Sequence, residues 1–307
     1  MADVILDTAI AATPARPAVS LRKMLHNPAV LFGGTVIVIV LLMGLLAPWL
    51  GTIDPTAINP IARNKVPGAE MTLRTDTGER IKMVAKFGTD SLGRDVYSRV
   101  VYGARISLLV GVSVALISIA CGMLIGVLAG FFRLLDAVIM RIMDGLMAIP
   151  AILLAIAMVS LFRSSVWTVI IAITVPQVPG VVRLVRSIVL SVREEPYVEA
   201  AVTLGTSTPK LLWRHVLPNT IAPMIVQGTF ICASAILVEA ILSFLGIGVP
   251  PEVPTWGNIM AEGRQVFSLF PHNIIYPGVF LAMTILAVNI LGDGLRDTLD
   301  PKMAKRV

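Results

Sequence analysis

Long apolar segments with few charges recur along this chain and constrain its fold more than any other feature. The six segments are residues 29–50, 106–132, 137–161, 166–190, 221–245 and 274–291. A helix needs about 20 apolar residues to cross a bilayer, and backbone groups inside a bilayer must satisfy one another. The hydrophobic share of 56% and the charged share of 14% are outside the usual range of soluble domains. We therefore predict an all-α membrane protein with six transmembrane helices.

The distribution of basic residues predicts how the spans are oriented. Loops 161–165 and 246–272 carry few basic residues, whereas the opposite segments carry Arg133, Arg183, Arg186, Arg193, Lys210, Arg214, Arg296, Lys302, Lys305 and Arg306. Short cytoplasmic loops are enriched in Lys and Arg. Both termini are therefore predicted to be cytosolic. The loop after the first span is also basic, but the rule weakens for long loops.

The spans divide the chain into four predicted regions. Residues 1–27 form a cytosolic tail, and residues 28–104 form the first transmembrane helix and a periplasmic loop. Residues 105–295 form a core of five helices, and residues 296–307 form a second cytosolic tail. Alternating side chains in the periplasmic loop predict a hairpin that turns at Thr77–Gly78.

A short helix is predicted just before the second span. Val96, Val100 and Val101 share one side of it, and Ser91 or Asp90 could cap its start. Such an amphipathic helix should lie along the membrane interface.

Small residues inside the spans predict close packing. Gly122, Gly126 and Gly130 repeat at intervals of four in the second span, a spacing that lets another helix approach backbone to backbone. Cys121 and Cys232 both lie in apolar runs, which favours packing over a disulfide or a metal site. With three scattered histidines, no metal site is predicted.

Three prolines predict bends. Pro150 should kink the third span, near whose start Arg141 and Asp144 are spaced to form an ion pair. Pro176 and Pro179 should break the fourth span. A broken helix can line a cavity, so these two prolines mark either a transport pathway or a simple kink.

Glu239 is the carboxylate in the fifth span. An ionisable residue in an apolar run is costly and suggests function. At about 1.5 Å per residue it lies roughly 27 Å beyond Ile221, near the far interface. A pathway role and pairing with a basic group at the interface both remain open.

The amphipathic stretch 197–219 is predicted to form two short helices joined at a corner. Pro196 suits the first turn of one helix and Gly205 its C-terminal cap. Thr208 could cap the second helix, and Pro218 should end it. The stretch could be a solvated connector or a knob that docks into a separate protein.

One face of the first short helix is a stripe of Tyr197, Ala200, Ala201 and Leu204. The sequence EAAVTLG followed by RHVLPN resembles the EAA loop of ABC importer permeases. In that family the loop, residues 191–219 here, is a coupling helix that seats on an ATPase subunit. The resemblance assigns ATPase coupling to Glu199, Ala200, Ala201, Leu204, Gly205, Leu217 and Pro218.

Further motifs narrow the resemblance to the C-type permease of the dipeptide, oligopeptide and nickel import group. They are FGTDSLGRDVYSRVVYGARISLLVG, ILVEAILSFLGIGVPPEVPTWGNIMAEGR and NILGDGLRDTLDP. The resemblance implies a type I ABC importer permease fold in the inner membrane, surrounded by lipid. It implies as partners a B-type permease, two cytosolic ATPases that hold ATP and Mg, and an extracytoplasmic binding protein. No cofactor on this chain and no nucleic-acid partner are expected.

The implied mechanism is alternating access driven by the ATPases, with peptides as the leading substrate. Glutathione, nickel chelates and opine-like solutes remain open, and the stretch 64–86 could contact the binding protein. The chain lacks a P-loop G-x-x-x-x-G-K-[ST], so it is not expected to hydrolyse ATP itself. A non-transporting membrane scaffold and an ion-coupled secondary transporter are the alternatives. A secondary transporter needs ionisable residues near the midplane of the membrane. Glu239 alone gives little support for that alternative.

Overall fold

The computed structural model describes residues 26–74 and 80–299. The α-helices of this part of the chain are α1 (Pro28–Leu45), α2 (Val96–Phe131), α3 (Arg133–Met147), α4 (Ala151–Leu161), α5 (Val166–Arg193), α6 (Pro196–Thr203), α7 (Thr208–Leu211), α8 (Leu217–Phe244), α9 (Trp256–Gly263) and α10 (His272–Leu299). Strands β1 (Ala69–Arg74) and β2 (Arg80–Ala85) pair antiparallel. The predicted hairpin turn at Thr77–Gly78 lies outside the described residues, as do nearly all of the N-terminal tail and the C-terminal tail beyond Leu299.

Within residues 26–74 and 80–299, five helical runs are long and apolar enough to cross a membrane: α1, α2, α5, α10 and the continuous run Thr208–Phe244 that joins α7 to α8. The pair α3 and α4, bent by 86°, supplies the sixth when it is taken as one broken span. The prediction of an all-α membrane protein with six spans is confirmed.

The predicted short interface helix is wrong, because α2 runs without interruption from Val96 to Phe131. The N-cap of α2 is Asp95. Its carboxylate accepts two hydrogen bonds from Ser98, one from the backbone N–H at 2.9 Å and one from the side-chain hydroxyl at 2.6 Å. The chain contains no proline between Val96 and Phe131, so nothing ends the helix where it enters the apolar run. The second span therefore extends well beyond the apolar segment.

The prolines do not bend the helices in the way that the sequence predicted. Pro150 separates two helices, so the predicted kink is a full break. Pro176 and Pro179 do not break α5, and that prediction is wrong. A proline removes one backbone donor, but neighbouring helices make such residues tolerable in a membrane span. Pro179 is itself buried in the bundle.

The predicted glycines of α2 lie at its seam with α5. Gly122, Gly126 and Gly130 lie against Val181, Val185 and Val189, respectively. A Cβ added to these glycines would come within 2.5, 2.7 and 2.7 Å of the corresponding valine Cβ atoms. The glycines therefore allow α2 and α5 to approach more closely than any larger residue would permit.

The stretch between α5 and α8 lies at the same end of the bundle as the start of α1. The Asn27 amide donates to the Gly294 carbonyl at 3.3 Å, which joins the start of α1 to the last part of α10. Gly44, at the other end of α1, packs on Arg105 near the start of α2, so α1 and α2 are antiparallel. Arg193 closes the loop end by donating to the carbonyls of Gly130 and Phe131 at 3.1 and 3.2 Å.

Candidate functional site

The loop end is shaped by a tight turn at Gly205. Gly205 has φ +77°, a conformation that costs glycine little. Its N–H donates to the Val202 carbonyl at 2.9 Å, and the Thr206 N–H donates to the Ala201 carbonyl at 3.1 Å. These two bonds form a Schellman motif that ends α6. The predicted corner is therefore built by backbone hydrogen bonds.

Two predicted signals in this stretch are wrong. The N-cap of α7 is Ser207, and Thr208 is already helical. Pro218 does not end the second helix, because it occupies the first turn of α8, where a missing N–H is harmless. The π-helical segment Leu212–Val216 connects α7 to α8. The second arm of the loop is consequently continuous with a membrane-spanning helix.

The loop is anchored to the bundle by apolar side chains that are buried in its core. Val192, Val198, Leu211 and Val216 are buried in the main hydrophobic core. The Asn219 amide donates to the Tyr197 hydroxyl at 3.2 Å and to the His215 carbonyl at 2.5 Å. The Tyr197 and His215 rings lie 5.9 Å apart. These contacts join the two arms, so the loop is a fixed part of the bundle.

Large apolar side chains nevertheless remain on the outside of the loop. We call Tyr197, Val202, Leu204 and Trp213 the loop patch; their exposed fractions are 45%, 57%, 85% and 77%. Leu204 directly precedes the turn at Gly205, so it projects at the corner. Exposed apolar patches of this kind commonly mark interaction sites.

The residues assigned to coupling do not all face outward. Glu199 and Ala200 are exposed, as are Gly205 and Pro218, whereas Leu217 is half-buried. Ala201 is half-buried and packs against the main core. The predicted stripe is therefore split: Ala201 helps to seat the loop on its own bundle, and Ala200 and Leu204 remain available to a partner.

A polar cleft of about 430 Å³ adjoins the loop. It is lined by Ala129, Gly130, Arg133, Asp136, Leu190, Arg193, Glu194 and Glu199. Asp136 accepts two hydrogen bonds from Arg186, at 2.5 and 2.6 Å. The cleft thus places the exposed Glu199 carboxylate beside the junction of α2, α3 and α5.

A second ion pair corrects an expectation for α3. Asp144 pairs with Arg183 of α5 at 2.5 Å and not with Arg141 as predicted. The pairing joins two helices instead of two turns of one helix. Sequence spacing identifies neighbours within a helix but not across helices.

Sequence reasoning missed an ionic cluster at the opposite end of α2. It consists of Asp90, Arg94, Arg99 and Glu262. Arg94 Nε lies 2.7 Å from Asp90 Oδ2, Arg99 Nη2 lies 3.3 Å from Glu262 Oε1, and Arg94 also contacts Glu262. Burial raises the pKa of Glu262 above its ordinary value, against the lowering effect of Arg99 and Arg94. The cluster fixes α9 to the start of α2.

Glu239 is fully buried on α8. Its Oε1 accepts a hydrogen bond from the Ser243 hydroxyl at 2.8 Å. Among the described residues it forms no ion pair, so one of the two open interpretations, pairing with a basic group at the interface, is not seen there. Pro176 and Pro179 lie on α5, and their place along a transport pathway stays a prediction.

Two family models match parts of this chain. Residues 122–305 match the model of the binding-protein-dependent transport system inner membrane component family. Residues 18–67 match the N-terminal transmembrane domain of oligopeptide transport permease C.

Individual relatives cover most of the chain. A probable peptide ABC transporter permease of Sinorhizobium fredii is 48% identical and covers 92% of this chain and 91% of its own length. A dipeptide transport system permease of Alkalihalophilus pseudofirmus is 38% identical, with coverage of 92% and 88%. A glutathione transport system permease of Pectobacterium atrosepticum is 41% identical, with coverage of 70% and 72%.

Proposed function

Because this chain belongs to the family of binding-protein-dependent transport system inner membrane components, we propose that it is a permease subunit whose residues 191–219 couple it to ATPases. It is a multi-pass protein of the inner membrane. The observation that carries the coupling proposal is the loop patch, which is exposed on a segment whose other side is buried in the core. Such a segment can receive a partner without unfolding.

The continuity of the second arm supports force transmission. The run Thr208–Phe244 is one helical rod from the loop to the far end of the bundle. The first arm follows α5 after a short turn. A displacement of the loop therefore acts on α5 and α8 together. Packed helices move as rigid bodies more readily than they deform.

The proposed cycle is alternating access. Two ATPase subunits hold ATP and Mg, and their closure moves the docked loops of this chain and of a related B-type permease. An extracytoplasmic binding protein delivers the solute. ATP can shift the equilibrium only if its binding free energy differs between the two states. In this proposal the exposed Glu199 carboxylate contacts a polar or basic group of the ATPase groove.

Di- and oligopeptides are the proposed substrates. Relatives at 35–48% identity over most of the chain are named as peptide, dipeptide or oligopeptide permeases. A glutathione permease is also similar, and glutathione is itself a short peptide derivative. A family of small peptide-like solutes fits all of these names.

Reconstituted transport tests this proposal. The chain is purified with the proposed partner permease, both ATPases and a candidate binding protein, and is inserted into proteoliposomes. We expect uptake of a labelled dipeptide that requires ATP and the binding protein. Uptake driven by an ion gradient without ATP would contradict the proposal and favour a secondary transporter.

The turn at Gly205 provides a prediction with a matched control. Gly205→Val should lower uptake several-fold, because a β-branched residue is strained at positive φ by about 1–2 kcal/mol. Gly205→Asn should keep most of the activity, since Asn tolerates this conformation. An added Cβ meets no atom within 4 Å, so the two variants compare backbone strain. Equal losses in both would show that the turn conformation is not what matters.

A further inference from the structure

A buried carboxyl group lies among hydroxyls at the far end of α8. Glu239 is 0% exposed. Among the described residues, its Oε2 and the Ser107 hydroxyl on α2 are buried without a hydrogen-bond partner. The Ser107 and Thr255 side chains both face the carboxyl group. A hydrogen bond between these two atoms would satisfy both, and either the Ser107 hydroxyl or a protonated carboxyl group can be its donor. The surrounding charges decide between the two.

The surrounding charges do not compensate an ionised Glu239. On the elements packed against it, Arg99 of α2 pairs with Asp90 and Glu262. Arg105 donates to the backbone carbonyls of Gly44 and Leu45. A buried carboxylate without a cation is strongly disfavoured, and such groups neutralise by binding a proton. A neutral carboxylic acid has one O–H donor and keeps acceptor capacity.

We propose that Glu239 is protonated in the folded protein and acts as a positioning residue that fixes residues 245–263 to α2 and α8. Its O–H donates to the hydroxyl of Ser107 or Thr255. Its Oε1 accepts from Ser243, whose oxygen in turn accepts from the Val249 N–H at 3.3 Å.

The hydrogen-bond chain reaches α9 through its cap. The Thr255 hydroxyl oxygen accepts from the Asn258 N–H at 3.1 Å, and the Trp256 indole donates to the Val100 carbonyl of α2 at 3.1 Å. The segment after α8 is therefore held on both sides of the carboxyl group. One neutral side chain is hydrogen-bonded both to α8, through Ser243, and to either α2 or the cap of α9.

The consequence for transport rests on the proposed function. Glu239 lies roughly 33 Å along the helix from Leu217, so α8 carries the proposed coupling loop at one end and this network at the other. A movement imposed on the loop reaches the segment 245–263 through the same rod. A neutral network can transmit that movement without the cost of separating charges.

Two substitutions at position 239 test the proposal. Gln has a donor and an acceptor in nearly the same places, so Glu239→Gln should retain uptake within about threefold and leave assembly unchanged. Glu239→Ala leaves the hydroxyls unpaired and opens a cavity, so it should lower the thermal unfolding midpoint of the purified complex. An infrared difference between the wild-type complex and Glu239→Gln should contain the C=O band of a protonated carboxylic acid.

The outcomes separate this proposal from the proposed function. The infrared band and the unfolding midpoint are measured without transport, so they test the protonation and the positioning role of Glu239 even if no peptide is imported. A carboxylate band in place of the acid band would overturn the proposal. So would an assembled Glu239→Gln complex with uptake reduced tenfold or more, since that result would require the charge. Unchanged stability in Glu239→Ala would remove the positioning role.

Discussion

Leu204→Asp is expected to lower ATP-driven peptide uptake by about tenfold or more, equivalent to at least 1.4 kcal/mol of lost coupling contact. Leu204 is 85% exposed at the corner of the loop, so a charge there should not disturb this chain's own fold. It would place an unpaired carboxylate in the apolar centre of the proposed interface, where desolvation is costly. Uptake, ATPase activity and membrane content of the complex should be measured together.

Ile61→Asp is the matched control for this prediction. Ile61 is 92% exposed on the short 3-10 helix Pro60–Ala62, outside the loop patch and outside the stretch 64–86 that could contact the binding protein. Val84 on β2 is also exposed, but it lies within that stretch. Ile61→Asp should retain uptake, with equal amounts of complex in the membrane. Normal transport by Leu204→Asp, or an equal loss in both variants, would contradict the assignment of the loop patch as the docking surface.

Gly122→Ala combined with Gly126→Ala is expected to destabilise the assembled complex by about 3 kcal/mol. The added Cβ atoms would meet Val181 and Val185 at 2.5 and 2.7 Å, and the second would also meet the Val182 carbonyl oxygen at 2.9 Å. Backbone atoms cannot move aside as a flexible side chain can. The α2–α5 seam would have to open along its length. Thermal unfolding of the complex in detergent measures the effect.

Gly145→Ala combined with Gly180→Ala provides the comparison. Both glycines are helical, and an added Cβ at either meets no atom within 4 Å. Alanine favours a helix over glycine by about 1 kcal/mol, so this variant should be no less stable than the wild type. A similar loss of stability in the two double variants would show that the close approach at the seam is not the cause.

Helix positions were largely predictable because apolar length alone marks a span. The bounds were not: the first turns of α2, which are capped by Asp95 and pack on Trp256 and the ionic cluster, lie outside the apolar segment, so apolar length does not reveal them. The continuity of α5 through Pro176 and Pro179 likewise depends on neighbouring helices. Periodicity within one segment contains no information on such partners.

In the loop 191–219, features set by neighbouring residues were predictable and features set by distant contacts were not. The corner at Gly205 was predicted correctly because it depends on the backbone preference of one residue. The inward position of Ala201 and the pairing of Asp144 with Arg183 are set by where the loop and α3 meet the bundle. Those contacts join residues far apart in the chain, so spacing along one helix misassigned them.

Site-specific cross-linking can show whether the loop patch touches an ATPase subunit in the assembled transporter. Cys121 and Cys232 are replaced by Ala, and a single cysteine is introduced by Leu204→Cys or, as the control, Val84→Cys. A short cysteine-reactive photocross-linker is then activated in the assembled transporter. We expect a covalent adduct with an ATPase subunit from position 204 and none from position 84. An adduct with the ATPase from position 84, or none from position 204 in an intact complex, would contradict this expectation.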